Sequence, residues 1–202
     1  MTSLARLLQL ASPALPVGAY SYSQGLEAAV EAGVVHDAAS AERWIGDVLE
    51  LSVGAMEAPL LWRMLNGEAC DELFLASRET AELRAETLQM GSSMALLLRD
   101  LEVGETSGSY PAVYAFAARR WRISPAEALV AYLWSWLENQ VMAALKAVPL
   151  GQTDGQRMLL SLADRLQGIA EKARSAEPCN LAPGFAVLSA RHETQYSRLF
   201  RS

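Results

Sequence analysis

The segment SPAEALVAYLWSWLENQVMAALKAV, residues 124–148, constrains the fold of this chain more than any other stretch. Apolar residues recur along it at steps of three and four, the spacing that stacks side chains on one face of an α-helix. Val130, Tyr132 and Trp134 extend the apolar surface around the other sides. Because a helix that is apolar on most sides is normally surrounded by neighbours, the segment predicts a central helix. Its inward face is predicted to comprise Leu129, Leu133, Trp136, Leu137, Val141 and Leu145.

Signals for helix starts accompany this segment and the one that follows it. Ser124 is positioned to cap the free amides, Pro125 suits the first helical position, and Glu127 completes a capping box. In TDGQRMLLSLADRLQGIAEKARS, Thr153 is the predicted N-cap residue and Gln156 is its predicted partner in a capping box. The inward stripe of this second helix is predicted to be Leu159, Leu162, Leu166, Ile169 and Ala173.

Two earlier segments carry the same helical period. In RETAELRAETLQMGSSMALLLRDL the predicted buried face comprises Leu83, Thr87, Met90, Met94, Leu97 and Leu101. Its predicted exposed face carries Glu79, Glu82, Arg84, Glu86 and Arg99. A further helix begins at Asp37 or Ser40 and ends at Asn66-Gly67. Pro59 either kinks that helix or starts a second one.

The organisation of the whole chain follows from these segments. Alternation with a period of two residues, flanked by hairpin turns, is missing, so no sheet is predicted. A composition of 51% hydrophobic and 20% charged residues is that of a globular protein. We therefore expect an all-α, single-domain, multi-helix bundle over residues 1–202. Within it, residues 175–202 are predicted to form a flexible C-terminal docking tail.

Charge and composition exclude several function classes. The net charge of −6 argues against broad contact with nucleic acid, which needs Lys and Arg to neutralise phosphates. The N-terminal stretch lacks the uninterrupted apolar core of a signal peptide, and ALVAYLWSWL is about half the length that spans a bilayer. Cys70 and Cys179 match no metal-ligand pattern. We expect a soluble, cytoplasmic protein with reduced thiols and neither nucleic-acid nor membrane partners.

Motifs that would carry enzymatic chemistry are missing. The sequence has neither a G-x-x-x-x-G-K-[ST] phosphate loop nor a G-x-S-x-G nucleophile elbow. The only histidines, His36 and His192, are too few and too far apart to indicate a metal centre. A helical enzyme using buried carboxylates stays open as an alternative, since Glu27, Glu31 and Glu57 lie in predicted helices that could converge. A helix-turn-helix regulator is a third hypothesis, which the acidic balance opposes.

Two stretches before the C-terminal end are candidates for binding. In SPALPVGAYSYSQGLEAAVEAG the prolines force a non-helical approach, and Ser21 with Gln24 resembles a capping box. Tyr20 and Tyr22 are of a type enriched at interfaces, although a rigid turn with tyrosines packed on the core explains them equally well. In NQVMAALKAVPLGQ, Lys146 lies in a last helical turn, where the helix dipole alone accounts for a cation.

The C-terminal stretch ARHETQYSRLFRS combines positive charge with apolar anchors. Its local excess of arginine in an acidic protein, together with aromatic residues, is typical of binding hot spots. A solvated chain end is the competing interpretation. Exposed Leu199-Phe200 would be a liability in that state, which favours docking.

These three stretches resemble the UreF family of urease accessory proteins. L-P-x-G-x-[YF]-x-[YHW]-S-x-G-L-E is matched by Leu15, Pro16, Gly18, Tyr20, Tyr22, Ser23, Gly25, Leu26 and Glu27. K-x-[VI]-P-[LF]-G-Q is matched by Lys146, Val148, Pro149, Leu150, Gly151 and Gln152. R-H-E-x-x-x-x-R-L-F-x-S is matched by Arg191, His192, Glu193, Arg198, Leu199, Phe200 and Ser202. The sequence departs from many relatives at Ala11, where they have Asp, and from some at Tyr22, where they have His.

The resemblance implies a non-enzymatic, all-helical adaptor that dimerises. It would bridge UreD (also called UreH), which meets apo-urease, and UreG, a nickel-carrying GTPase. Together these proteins promote lysine carbamylation and nickel insertion in urease, and the adaptor is proposed to act on the GTPase cycle. From the residues alone we predict no cofactor, no metal site and no catalytic residue, and we assign nickel no position in this chain.

The resemblance also implies which residues meet these partners. In the family the tail becomes ordered against UreD. The partner-binding candidates there are Arg191, His192, Glu193, Tyr196, Arg198, Leu199, Phe200 and Arg201. Tyr20, Ser23, Glu27 and Lys146 are candidates for the UreG-facing side or for shaping a path through the complex.

Overall fold

The computed structural model describes residues 3–202, which form helices joined by short connections. The elements are α1 (Ser3–Leu10), a 3₁₀ turn (Ala19–Ser21), α2 (Leu26–Glu31), α3 (Ala38–Val48), a π-helix (Leu49–Glu57), α4 (Ala58–Leu65), α5 (Asp71–Ala76), α6 (Ala81–Asp100), α7 (Tyr110–Arg120), α8 (Pro125–Ala147), α9 (Gln152–Ala173) and α10 (Pro183–His192). No strand occurs among residues 3–202, so the predicted all-α bundle is confirmed.

Helix α8 lies at the centre of the bundle. It packs most extensively against α9 and also contacts α1, α2, α3, α4 and α7. The predicted inward face is buried from Leu129 to Val141, while Leu145 near the helix end is half-buried. Since burying one large apolar side chain stabilises a fold by about 1.5–3 kcal/mol, this face and its neighbours form the core. The predicted stripe of α9 is also buried.

The predicted helix caps are only partly right. Ser124 occupies the N-cap position of α8 with Pro125 after it, but its side chain makes no capping hydrogen bond, so the predicted capping box is wrong. The start predicted at Thr153 is also wrong, because α9 begins at Gln152 and the N-cap is Gly151. The Gly151 N–H donates to Asp154 Oδ2 at 3.2 Å, which satisfies an amide that has no partner inside the helix.

The segment between α2 and α5 contains a π-helix. The predicted start at Asp37 is confirmed, since its Oδ1 accepts from the Ser40 N–H at 2.8 Å. Pro59 lies in the first turn of α4 and so starts a second helix. Because proline has no N–H, the Ala55 carbonyl lacks its usual helical donor and accepts from the Cys179 N–H at 3.0 Å. The π-helix thereby holds the connection between α9 and α10.

Helix α6 departs from its predicted pattern. Leu83, Thr87, Met90 and Met94 are buried as predicted, whereas Leu97 is half-buried and Leu101 is exposed. The larger error concerns Glu86, which the pattern placed on the exposed face and which is only 5% exposed. Among the described residues, no helix has the length and apolar character needed to cross a membrane.

Candidate partner-binding site

Residues 193–202, here called the strap, follow α10 and fold back onto α2 and the start of α6. The strap donates hydrogen bonds to carboxylates of those helices, and its own Glu193 carboxylate accepts one from the backbone of α6. Arg191 and His192 form the last turn of α10 and lead into it. The strap therefore brings the predicted C-terminal candidates next to residues of the N-terminal motif.

Glu27 is the principal anchor of the strap. Its Oε1 accepts from the Leu199 N–H at 2.6 Å, and its Oε2 accepts from the Phe200 N–H at 3.0 Å. The side chain is 8% exposed, so these bonds form away from water. Hydrogen bonds to a charged acceptor are worth about 1.5–3 kcal/mol, more than neutral ones. Glu27 thus fixes the strap backbone between an exposed side chain, Leu199, and a buried one, Phe200.

His192 links the anchor to α6. Its imidazole is fully buried, with Nε2 at 3.3 Å from Glu27 Oε2 and Nδ1 at 2.8 Å from Glu82 Oε2. Each ring nitrogen thus lies within hydrogen-bonding distance of a carboxylate oxygen, which fixes the orientation of the ring. The carboxylates lie at opposite nitrogens, so one metal ion could not contact both together with the ring. No group of three or more His, Cys, Asp or Glu is placed to hold a metal within residues 3–202.

Arg198 and Glu193 join the strap to the start of α6. Arg198 forms an ion pair with Glu82 and donates from Nη2 to the Glu193 carbonyl at 2.6 Å. The Glu193 carboxylate accepts from the Glu82 N–H at 3.1 Å, in the first turn of α6. A carboxylate in that position is favoured by the helix dipole. Arg198 and Glu193 thus attach the strap to the first turn of α6.

The end of the strap pairs with the turn before α2. The Arg201 N–H donates to the Ser21 carbonyl at 2.8 Å. The Ser202 main-chain oxygen accepts from the N–H groups of Ser23 and Gln24 at 2.8 and 3.1 Å. It also accepts from Ser23 Oγ at 2.6 Å. The predicted Ser21–Gln24 capping box is wrong, because this turn serves the strap and α2 begins later, at Leu26.

A left-handed backbone turn makes this pairing possible. Gln24 and Gly25 have φ values of 51° and 78°. A Cβ on Gly25 would lie 2.7 Å from Ser189 Oγ, so glycine also permits the close packing of α2 against α10.

The strap leaves several predicted residues at the surface. Tyr196 is fully exposed, Leu199 is 58% exposed and Tyr20 is 77% exposed. Phe200 is buried, and the Lys146 ammonium lies 4.6 Å from its ring centre in a cation–π contact. Arg191 and Arg201 are exposed. Of the two tyrosines in the N-terminal motif, Tyr20 therefore has the exposed position and Tyr22 the buried one.

A shallow groove of about 400 Å³ connects these elements. It is lined by Tyr20, Asn139, Met142, Ala143, Leu145, Lys146, Gln152 and Phe200. Residues from all three sequence motifs thus border one continuous surface. Tyr196 is fully exposed and does not line the groove.

Sequence reasoning missed three residues of the site: Gln24, Glu82 and Glu86. Glu82 and Glu86 were placed on the exposed face of α6, yet both face the strap. A signal for Glu86 existed, since it follows Leu83 by three residues and precedes Met90 by four, which is the spacing of the buried face. Gln24 carried no such signal.

A second polar cluster lies deeper in the bundle. Glu57 pairs with Arg78 at 2.5 Å and accepts from the Tyr132 hydroxyl at 3.2 Å, and all three side chains are buried. Glu27 belongs to the strap cluster, and Glu31 is exposed. The three glutamates of the alternative enzyme hypothesis therefore do not converge, and that part of the prediction is wrong.

Comparisons with known proteins place these features in a family. The model of the UreF family matches residues 35–163. The UreF urease accessory protein of Azoarcus sp. (strain BH72) is 54% identical, over 98% of this chain and 95% of that protein. The corresponding protein of Dechloromonas aromatica (strain RCB) is 53% identical, over 98% and 97%.

A fused relative also matches. The bifunctional urease accessory protein UreEF of Bordetella bronchiseptica is 48% identical over 98% of this chain, which spans 52% of that longer protein. The relatives are named as accessory proteins, and this chain is accordingly an accessory protein rather than an enzyme. Both the matching family model and the identity over nearly the whole length show that the chain belongs to the UreF family of urease accessory proteins.

Proposed function

We propose that this chain is an adaptor for urease metallocentre assembly, which bridges UreD (UreH) and the GTPase UreG and through them meets apo-urease. It acts in the cytoplasm as a homodimer, supports nickel insertion, and modulates the GTPase without hydrolysing nucleotide itself. The family membership supports the urease accessory role. The two-sided partner assignment rests on the motifs and on the surface that they form.

The observation that supports the UreD contact is that the backbone of the strap is bound to the bundle while several of its side chains are exposed. Its backbone is anchored on Glu27 and Glu82, while Tyr196 and Leu199 point away from the bundle. Exposed aromatic and leucine side chains on a held backbone bind at a low cost in conformational entropy. We assign Tyr196, Arg198, Leu199 and Arg201 to this contact, with Arg191, His192, Glu193 and Phe200 supporting its shape.

The UreG contact is assigned to the groove beside the strap. Lys146 supplies an exposed positive charge and Tyr20 an exposed aromatic ring, the combination typical of a hot spot facing an acidic partner. Ser23 and Glu27 act indirectly, since both are buried and hold the strap next to this groove. The fused UreEF relative supports a location close to other accessory factors.

Co-purification with tagged UreD tests the first contact. We expect Tyr196→Ala and Leu199→Ala each to lower retention severalfold, because each removes an exposed anchor without a contact inside the bundle. Leu160→Ala is the matched control, since Leu160 is 74% exposed on α9, outside the strap. Equal retention of all three variants would remove the strap surface from the UreD interface.

Co-purification with UreG tests the second contact. Lys146→Ala is expected to weaken retention of UreG, and its matched control is Lys172→Ala, another lysine in the last turn of a long helix. Both variants lose a similar interaction with a helix dipole, so the comparison isolates the groove. Unchanged UreG retention and urease activation for Lys146→Ala would exclude Lys146 from the interface.

A further inference from the structure

The Glu86 carboxylate connects the end of the strap to the interior of the bundle. Its Oε2 accepts from Ser202 Oγ at 2.7 Å, and its Oε1 accepts from Gln24 Nε2 at 2.6 Å. Ser202 is buried, and its main-chain oxygen is held by the same turn that carries Gln24. The last residue of the strap therefore rests directly on a buried acid.

Glu86 also borders a cavity of about 70 Å³ that is lined by both polar and apolar side chains. Gln24, Tyr110 and Tyr132 contribute to the lining, together with the half-buried Ser135 and Asn139. A cavity needs roughly 10–15 Å³ to hold one water molecule, so several fit here. Water in this position gives the carboxyl group a route for proton exchange without unfolding of the bundle.

The charges around Glu86 leave it without a free counter-ion. Arg78 faces it but pairs with Glu57 at 2.5 Å, so the positive charge is already matched. Tyr22 faces Glu86 from the turn before α2 and lies near the Arg201 guanidinium of the strap. Burial raises the pKa of Glu86 to about 7, and the hydrogen bonds from Ser202 and Gln24 only partly oppose that rise.

We propose that docking of the strap is coupled to protonation of Glu86, so that the neutral acid holds the strap closed and the carboxylate ion favours its release. The protonated acid keeps its contact with Ser202, because a hydroxyl both donates and accepts. Lifting the strap admits water to the carboxyl group and solvates the ion. Release also removes the Ser202 hydrogen bond, which lowers the pKa of Glu86, but burial is the larger influence, so the docked form binds the proton more tightly than the released form.

The direction of the pH response follows from this difference. The pKa of Glu86 is about 7 when the strap is docked, and the released form moves it toward the ordinary value of 4.5. Docking therefore strengthens as the pH falls from 8 to 6, by up to about tenfold for a complete return to the ordinary value. Glu27, Glu82 and His192 are further titratable groups that contact one another where α10 leads into the strap. A variant at position 86 is therefore needed to isolate the contribution of Glu86.

Hydrogen exchange of the whole chain, followed by mass spectrometry and corrected for intrinsic exchange rates, measures the coupling. The amides of Leu199, Phe200 and Arg201 report docking, since each donates a hydrogen bond in the docked strap. We expect their protection to rise severalfold between pH 8 and 6. Glu86→Gln should abolish this change, while Glu72→Gln, an exposed acid on α5, should leave it intact.

A pH response in Glu86→Gln equal to that of the original chain would overturn the proposal, as would a flat response in the original chain. If Glu86→Gln does not fold, carbon-13 NMR of the Glu86 carboxyl group replaces it. The group should then titrate near neutral pH in the whole chain and at lower pH in a chain ending at Ser197. Equal titration in both would also refute the coupling.

The biological meaning of this coupling rests on the proposed role of the strap in partner binding, but its test does not. A strap that switches with pH yet is dispensable for UreD retention would disprove the adaptor surface and leave the coupling standing. A strap that binds UreD but whose docking does not depend on Glu86 would disprove the coupling and leave the adaptor surface supported.

Discussion

Glu27 and Glu57 are both single glutamates in apolar helical sequence, and both are buried, but their partners differ. Glu57 contacts Arg78 and Tyr132, which belong to the framework of helices. Glu27 contacts main-chain N–H groups of the strap and His192. The first arrangement joins helices of the bundle to one another. The second anchors the strap, a segment without helical structure that carries exposed side chains, so burial alone does not distinguish the two glutamates, whereas the identity of their partners does.

The largest effect is expected from breaking the framework pair. Arg78→Met leaves Glu57 buried without its cation, which should lower the free energy of unfolding by about 3–5 kcal/mol. Urea unfolding followed by circular dichroism measures this loss. The double variant Arg78→Met, Glu57→Gln should recover a large part of it, because no uncompensated charge is left. A loss below about 1 kcal/mol for the single variant would mean that the two clusters do not differ as described.

A smaller, localised effect is expected at the strap anchor. Glu27→Gln replaces a charged acceptor by a neutral one and should lower the free energy of unfolding by about 2 kcal/mol. The amides of Leu199 and Phe200 should lose most of their protection, whereas those of α8 should accelerate by no more than the loss of global stability and remain protected. Glu31→Gln, on the exposed face of the same helix, is the matched control. Unchanged exchange at Leu199 and Phe200 would show that Glu27 does not anchor the strap.

The smallest effect concerns the turn beneath the strap. Gly25→Ala and Gly33→Ala both place an alanine at positive φ, at a cost of about 1–2 kcal/mol each. At Gly25 the new Cβ also meets Ser189 Oγ at 2.7 Å, while nothing lies within 4 Å of it at Gly33. We expect Gly25→Ala to be less stable by about 1 kcal/mol more, from crowding. Equal melting temperatures would show that α10 shifts freely against α2.

The predictions from sequence succeeded where a pattern repeats over many residues. The inward faces of α8 and α9 were correct because a stripe repeated over several turns tolerates errors at single positions. The predictions from sequence were wrong at individual polar residues. Glu86 was placed on the exposed face by its charge, although its spacing from Leu83 and Met90 belongs to the buried face.

The predicted helix starts were wrong for a related reason. Several residues near the start of α9 can satisfy the free amides, and the choice between Thr153 and Asp154 depends on local geometry at the end of α8. The π-helix at Leu49–Glu57 had no signal in the sequence beyond Pro59.

The sequence by itself determined the all-α class, the central position of α8 and, through its three motifs, the UreF family. These are properties of periodicity and local pattern, which the order of residues specifies directly. Only the tertiary structure decided that Glu27, Glu82 and Glu86 all meet the strap and that Tyr196 and Leu199 are left exposed. Those contacts join residues more than 100 positions apart, and their energies depend on burial, which exists only once the helices have packed.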